Sequence, residues 1–114
     1  MRSSVDVDLA LLGGGGAASL VLAALDRHGV RGLRVAVVDA LHRRGQDRTW
    51  AFWDRPGGDL DALLSASWPR AEVLTPTGRR VLDLAPLRYA MLRSGPVYER
   101  AAAAERRLGA EALN

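Results

Sequence analysis

The sequence predicts an α/β fold that opens with a strand, a glycine turn, a helix and a second strand. Three observations carry this prediction. Four consecutive glycines, at positions 13–16, separate two apolar segments, and the second of these segments has helical periodicity. A further β-branched segment follows and ends in an acidic residue. This order over about 35 residues is typical of a βαβ unit, whose crossover is almost always right-handed.

Each element of the unit has its own pattern. Residues 5–12 alternate Val and Asp and then become wholly apolar, which predicts a strand running into a core that is covered on both faces. A helix is expected over 17–28, where apolar residues recur at i, i+3, i+4, i+7 and i+8, with Gly29 in the position of a left-handed C-terminal cap. The next strand is predicted over 33–38 and is followed by Asp39.

The middle of the chain has shorter patterns. Asp59 or Asp61 is expected to cap a short helix that runs through Leu64. The segments 72–74 and 79–84 flank TPTG, whose proline and glycine favour a tight turn, so a small antiparallel hairpin is predicted there.

Two helices are expected after this hairpin. One begins at Ala85-Pro86, because proline is favoured in the first turn of a helix. The other is capped by Ser94 and runs to about Leu108, with Gly109 as its stop.

Composition narrows the function. The 114 residues include no cysteine, which excludes a disulfide framework and a thiolate metal site and fits a cytoplasmic protein. All 16 basic residues are arginines scattered among acidic ones, so the net charge of +3 does not indicate a nucleic-acid partner. No apolar run reaches the ~18 residues that span a membrane. His28 and His42 lack a paired ligand spacing, and no metal site is predicted.

The glycine run contains a dinucleotide-binding fingerprint. Gly13, Gly15 and Ala18 match its GxGxxA form, in which the first glycine permits the turn and the second admits a diphosphate close to the backbone. The amides of the first helical turn then face the phosphate oxygens. Asp39 lies 21 residues after Ala18, near the spacing of an acid that binds a ribose 2′-hydroxyl, which favours FAD or NAD over NADP. The alternative is a glycine-rich turn that binds no ligand.

A second unusual segment is QDRTWAFW, at positions 46–53. One interpretation is an apolar patch beneath a long loop. The other places Arg48 near the cofactor phosphates and the aromatic rings against a flavin or an apolar substrate channel.

Together, DLALLGGGGAASL, VVDA, QDRTWAFWD, WPR and LDLAPLRYAMLRSGPVYE resemble the amino-terminal part of the bacterial and plant-type lycopene β-cyclases. These are flavoproteins of the glutathione-reductase-like Rossmann class. The resemblance implies bound FAD that is reduced by NAD(P)H, and closure of the linear ends of lycopene to β-ionone rings without net redox change. It also implies peripheral membrane association, because the carotenoid substrate lives in lipid.

The resemblance carries over to particular positions. The family's phosphate loop matches Gly13, Gly14, Gly15, Gly16 and Ala17, and Ala18 stands where the family usually has a third glycine. Its ribose acid matches Asp39, and its motif after the second strand matches Arg48, Thr49 and Trp50. The family's acidic catalytic motif lies beyond Asn114, so no catalytic residue is assigned here.

The expected architecture is therefore a Rossmann-like FAD-binding βαβ unit with a small antiparallel hairpin insertion, truncated before the third parallel strand. A doubly wound nucleotide-binding half needs three strands, and the closing AEALN supplies only the first step of another. We expect residues 1–114 to form a partial FAD-binding domain of a longer protein, without its substrate and catalytic regions. Two alternatives stay open: another FAD-dependent oxidoreductase or monooxygenase, and an inactive truncated product.

Overall fold

A computed structural model describes residues 6–40 and 48–113 of the chain. Within these ranges the fold is mixed α/β with small sheets. The elements in chain order are β1 (Leu9–Leu12), α1 (Gly16–Arg27), β2 (Val35–Val38), β3 (Thr49–Asp54), β4 (Ala66–Trp68), β5 (Arg70–Thr75), β6 (Gly78–Asp83), β7 (Arg88–Arg93), α2 (Ser94–Leu108) and β8 (Glu111–Leu113).

The chain divides into two compact units, which are described separately. In its described part, the first unit consists of residues 6–40 and 95–113 and contains a parallel sheet in the order β1-β2-β8. The strands β1 and β2 pair in register from Leu9↔Val35 to Leu12↔Val38, and α1 connects them. This confirms the predicted sequence of strand, glycine turn, helix and strand.

The expectation that the chain stops before a third parallel strand is wrong. The segment Glu111–Leu113 pairs in parallel with β2, from Ala36↔Glu111 to Val38↔Leu113. The physical reason lies in β2, which is buried on both faces and occupies the centre of the sheet. A central strand has hydrogen-bonding groups along both edges, and these groups need a neighbour on each side. The residues after α2 supply the second neighbour.

The core of this unit lies between β2 and the two helices. Leu22 of α1, Val35 and Val37 of β2, and Ala101 and Ala104 of α2 form one buried cluster. Alanines on α2 allow the helix backbone to lie close to the sheet, while the larger side chains come from the other two elements. The alanine tract therefore serves packing as well as helix formation.

Both helices end as their sequences predict. After α1, the backbone at Gly29 takes a φ of +70°, and the Val30 amide bonds to the Leu25 carbonyl. After α2, Gly109 takes a φ of +67° in the same way. Residues with a side chain rarely adopt this conformation, and glycine is its usual occupant at helix ends.

The second unit, residues 48–94, contains an antiparallel sheet in the order β3-β7-β4 that the sequence analysis missed. The segment RYAMLR alternates half-buried or exposed residues with buried Ala90 and Leu92, which is the period of a strand. No helix begins at Ala85-Pro86, contrary to expectation. This peptide bond is cis, and the chain enters β7 at Arg88, where it pairs with strands on both sides.

The predicted hairpin is confirmed: β5 and β6 pair from Arg70↔Asp83 to Thr75↔Gly78 around the TPTG turn. The predicted capping role of Asp59 or Asp61 is wrong. A 3-10 helix covers Asp61–Leu63, and its cap residue is Leu60, without a side-chain cap bond. One oxygen of Asp61 instead accepts the Gly57 amide at 2.9 Å and the other accepts a bond from Arg88 at 2.7 Å.

An exposed ion pair joins the amino ends of β1 and β2. The carboxylate of Asp8 accepts the Arg34 backbone amide at 2.9 Å and also lies 3.3 Å from the Arg34 guanidinium. Both contacts favour the charged form and lower the pKa of Asp8, the backbone hydrogen bond most of all. Stabilisation by this carboxylate is therefore present above its usual pKa of 3.8, and is lost as pH falls through the lower pKa of the folded protein.

We predict that Arg34→Gln leaves the pKa of Asp8 below its usual value, because the larger cause is a main-chain amide that the substitution retains. A carboxyl NMR titration of the wild type and the variant measures this, and the pKa in the variant should be the higher of the two. Return of the pKa to 3.8 in Arg34→Gln would contradict the account.

Candidate functional site

At its first position, the glycine turn between β1 and α1 has a backbone conformation that residues with a side chain rarely adopt. Gly13 has a φ of +99°, and its amide donates to the Val38 carbonyl at 2.7 Å. The turn therefore begins with a main-chain bond to the carboxyl end of the neighbouring strand. In parallel sheets, this end of the strands is where ligands bind.

Asp39 lies beside the second glycine of the turn. The Gly14 amide donates to Asp39 Oδ2 at 2.7 Å, a length typical of a hydrogen bond to a charged acceptor. A Cβ on residue 14 would lie 3.1 Å from that oxygen and 3.6 Å from Val37. The structure thus brings the predicted ribose acid together with the predicted phosphate loop, through a contact that the fingerprint does not specify.

The amino end of α1 has main-chain donors and no capping side chain. The cap residue is Gly15, and the first turn contains Gly16, Ala17 and Ala18, with no acidic residue. The first amides of a helix have no partner within the helix, and the helix dipole places partial positive charge there. Chemically, this end of α1 can bind an anion.

Ser19, in the first turns of α1, bonds back to the residue that precedes the helix. It is buried, its amide donates to the Gly15 carbonyl at 3.0 Å, and its hydroxyl donates to the same carbonyl at 2.8 Å. Two bonds on one oxygen hold the last residue of the glycine turn against the first turn of α1. Ser19 was not predicted from the sequence, although a small polar residue four positions after Gly15 is a signal for this bond.

Arg48, Thr49 and Trp50 belong to the second unit, where Thr49 and Trp50 begin β3 and Arg48 directly precedes it. The main chain of Arg48 bonds to Ser94 in both directions: its amide donates to the buried Ser94 hydroxyl at 3.1 Å, and its carbonyl accepts the Ser94 amide at 3.0 Å. Thr49 pairs with Arg93 and Trp50 pairs with Leu92. The structure thus places Thr49 and Trp50 on a strand, with Arg48 directly before it.

One face of the β3-β7-β4 sheet has a row of exposed aromatic side chains. Trp53, Tyr89 and Trp68 are directly opposite one another in register, with ring centroids 4.9 and 6.2 Å apart. Their exposed fractions are 60, 37 and 44%. We call these three residues the aromatic row. Residues along β3 alternate between exposed and half-buried, although the sequence TWAFWD has no alternation of apolar and polar residues that would predict it.

The family of the chain follows from comparison with known proteins. A family model described as "Lycopene cyclase protein" matches residues 8–108, which include the glycine turn, Asp39 and the aromatic row.

The chain belongs to the lycopene cyclase family.

This confirms the resemblance seen in the sequence, and membership of the family supports a cyclase-type enzyme. A search of curated proteins gave no match to this family member. In the two described ranges, no helix has the length and apolar character needed to cross a bilayer.

The glycine turn offers a direct test of its geometry. We predict that Gly13→Ala lowers the free energy of unfolding by on the order of 1–2 kcal/mol, because a side chain is strained at a positive φ. Gly78→Ala is the matched control, since its φ is not in the left-handed region and no atom lies within 4 Å of the added Cβ. Urea unfolding measures both variants. Equal losses of stability in the two would show that the turn imposes no such constraint.

Proposed function

We propose that this chain binds FAD and is the cofactor-binding part of a lycopene β-cyclase-like enzyme that closes the linear ends of lycopene in carotenoid biosynthesis. The single observation that carries the proposal is the match of the lycopene cyclase family model to residues 8–108. The geometry of the glycine turn within that range supports it. The further proposal that the chain is an amino-terminal piece of a larger enzyme rests on the resemblance alone.

The residues of the first unit fit the diphosphate of a dinucleotide. A Cβ at Gly14 would lie 3.1 Å from Asp39 Oδ2, and the first turn of α1 presents main-chain amides without a capping side chain. In this proposal the amides of Gly15 and Gly16 and the first turn of α1 bind the phosphates, and Asp39 accepts a bond from the adenosine ribose. The β1-α1-β2-β8 arrangement is then the Rossmann-like part of the fold.

Reduced FAD, with NAD(P)H as the source of electrons, would supply the chemistry of ring closure, a reaction without net redox change. The chain's own residues would bind and orient the cofactor. The proposed roles of Arg48 and Thr49 at the cofactor rest on their match to the family motif. No residue of this chain is proposed as the catalytic acid.

Flavin content tests the proposal. We predict that the protein purified after expression with FAD is yellow and releases flavin on denaturation. In Gly15→Val the bound flavin should fall at least about tenfold, because a branched side chain fills the space that the fingerprint leaves for the diphosphate. Gly78→Val is the control on an exposed strand. Absorbance of the released flavin measures all three.

A colourless wild-type protein without flavin would contradict the proposal, as would unchanged flavin in Gly15→Val. Bound flavin without conversion of lycopene by the intact enzyme and NAD(P)H would favour another FAD-dependent oxidoreductase or monooxygenase.

We further propose peripheral association with membranes, where a carotenoid substrate resides. The aromatic row supports this proposal, because exposed tryptophan and tyrosine are enriched at the level of lipid headgroups. The next row of the same face, Ala51, Met91 and Ala66, is apolar, and the cation Arg93 follows on β7. An apolar face that ends in a cation suits an anionic lipid surface.

We predict that the wild-type protein sediments with phosphatidylcholine vesicles that contain phosphatidylglycerol, and that replacing Trp53 and Trp68 by serine reduces the bound fraction several-fold. Leu74→Ser is the matched control, since Leu74 is exposed on the β5-β6 hairpin and outside the aromatic row. An equal bound fraction in all three proteins would contradict this role for the row.

A further inference from the structure

The second position of the glycine turn raises a question that the dinucleotide fingerprint does not answer. The fingerprint needs small residues at Gly13, Gly15 and Ala18 and leaves position 14 open. In this chain position 14 is also glycine. The backbone there does not require it, because positive φ values in this turn occur at Gly13 and not at Gly14.

The answer lies in the space between the turn and the end of β2. A Cβ on residue 14 would approach Asp39 Oδ2 to 3.1 Å and Asp39 Cβ to 3.4 Å. The same oxygen accepts the Gly14 amide at 2.7 Å. Any side chain would therefore push on the carboxylate that bonds to its own backbone. The close approach of Asp39 therefore favours glycine at position 14.

We propose that Asp39 is a positioning residue that holds the glycine turn in its binding shape before a dinucleotide arrives. This role rests on the proposed FAD site and is additional to the ribose contact expected of an acid at this position. A carboxylate has about four acceptor sites on its two oxygens, and the Gly14 amide uses one of them. The bond to Gly14 therefore does not by itself prevent a carboxylate from also accepting a ribose hydroxyl.

Asp39 is itself held by the sheet. Its amide donates to the Leu113 carbonyl at 3.0 Å, and the residue before it, Val38, accepts the Gly13 amide. Three hydrogen bonds, from Asp39 to Leu113, from Gly13 to Val38 and from Gly14 to Asp39, therefore connect β8, the end of β2 and the glycine turn. Glycine has the largest backbone entropy to lose on ordering, so four glycines in a row need such links to keep one shape. A turn already ordered binds its ligand at a smaller entropic cost.

The test separates the two roles of Asp39 with two nucleotides that resemble the adenosine half of FAD. ADP carries the ribose 2′-hydroxyl and 2′-deoxy-ADP lacks it. Calorimetry measures the affinity of each nucleotide for the wild type, Asp39→Ala and Asp39→Asn. The asparagine variant is the matched control, since its carboxamide oxygen still accepts the Gly14 amide while the charge is gone.

We expect Asp39→Ala to bind 2′-deoxy-ADP about tenfold more weakly than the wild type, the loss that corresponds to one hydrogen bond to a charged acceptor. Asp39→Asn should stay within about threefold, because a neutral acceptor holds the amide less strongly but still holds it. Removing a negative charge near an anionic ligand favours binding, so electrostatics cannot produce the expected loss.

Unchanged affinity of Asp39→Ala for 2′-deoxy-ADP, with weaker binding of ADP, would assign Asp39 to the ribose alone and overturn the inference. Equal losses in the alanine and asparagine variants would also overturn it.

Hydrogen exchange at the Gly14 amide in the nucleotide-free protein is the second readout. The inference requires faster exchange in Asp39→Ala than in the wild type and in Asp39→Asn, and equal rates in all three would overturn it. Failure of the wild type to bind either nucleotide would contradict the proposed function, and the exchange rates would still decide whether Asp39 holds the turn.

Discussion

The hydrogen bond from the Gly14 amide to Asp39 connects the two parts of the candidate site. It joins the turn after β1 to the residue after β2 at a distance of 2.7 Å. It adds to the bond from the Gly13 amide to Val38 and to the two bonds of Ser19 on the Gly15 carbonyl, which also restrict the glycine run. With it, the amino end of α1 has a defined position beside an acidic side chain. The proposed binding of a dinucleotide depends on that position.

The parallel sheet determines where Asp39 lies. Val35, Ala36 and Val37 are buried on both faces of β2, and the strand has a neighbour on each edge. A shift of one residue would turn Val35 and Val37 away from the helices that they pack against. Packing of Val35 and Val37 against the helices therefore fixes the place where β2 ends. The chemistry of the site follows from the core rather than from the loop alone.

The sequence predicted the parts of the fold that depend on local patterns. The glycine turn, α1 with Gly29, α2 with Gly109 and the TPTG hairpin all have turn or cap residues at defined spacings. The sequence indicated only the start of a strand in AEALN, because so short a segment has no periodicity of its own, and pairing with β2 determines β8. The helix expected at Pro86 fails for the opposite reason. Proline there is compatible with the start of a helix, but pairing of the following segment, β7, with β3 and β4 determines the structure instead.

For the candidate site, residue types and spacing predicted the turn and its acid but not the contact between them. The bond from Gly14 to Asp39 depends on the distance between the carboxyl ends of β1 and β2, which no spacing in the sequence specifies. The aromatic row was likewise visible as a concentration of rings, while the pairing of Trp53 with Tyr89 and Trp68 came from strand register.

The central claim is that the glycine turn and the first turn of α1 bind the diphosphate of FAD, while Asp39 at the end of β2 accepts a bond from the ribose. An NMR titration of the isotope-labelled protein with FAD tests it most directly, because it follows the signal of each backbone amide as the cofactor binds. The account predicts that the largest shifts fall on the amides of residues 13–18 and on Asp39. Shifts that leave these amides unchanged and fall elsewhere would contradict it.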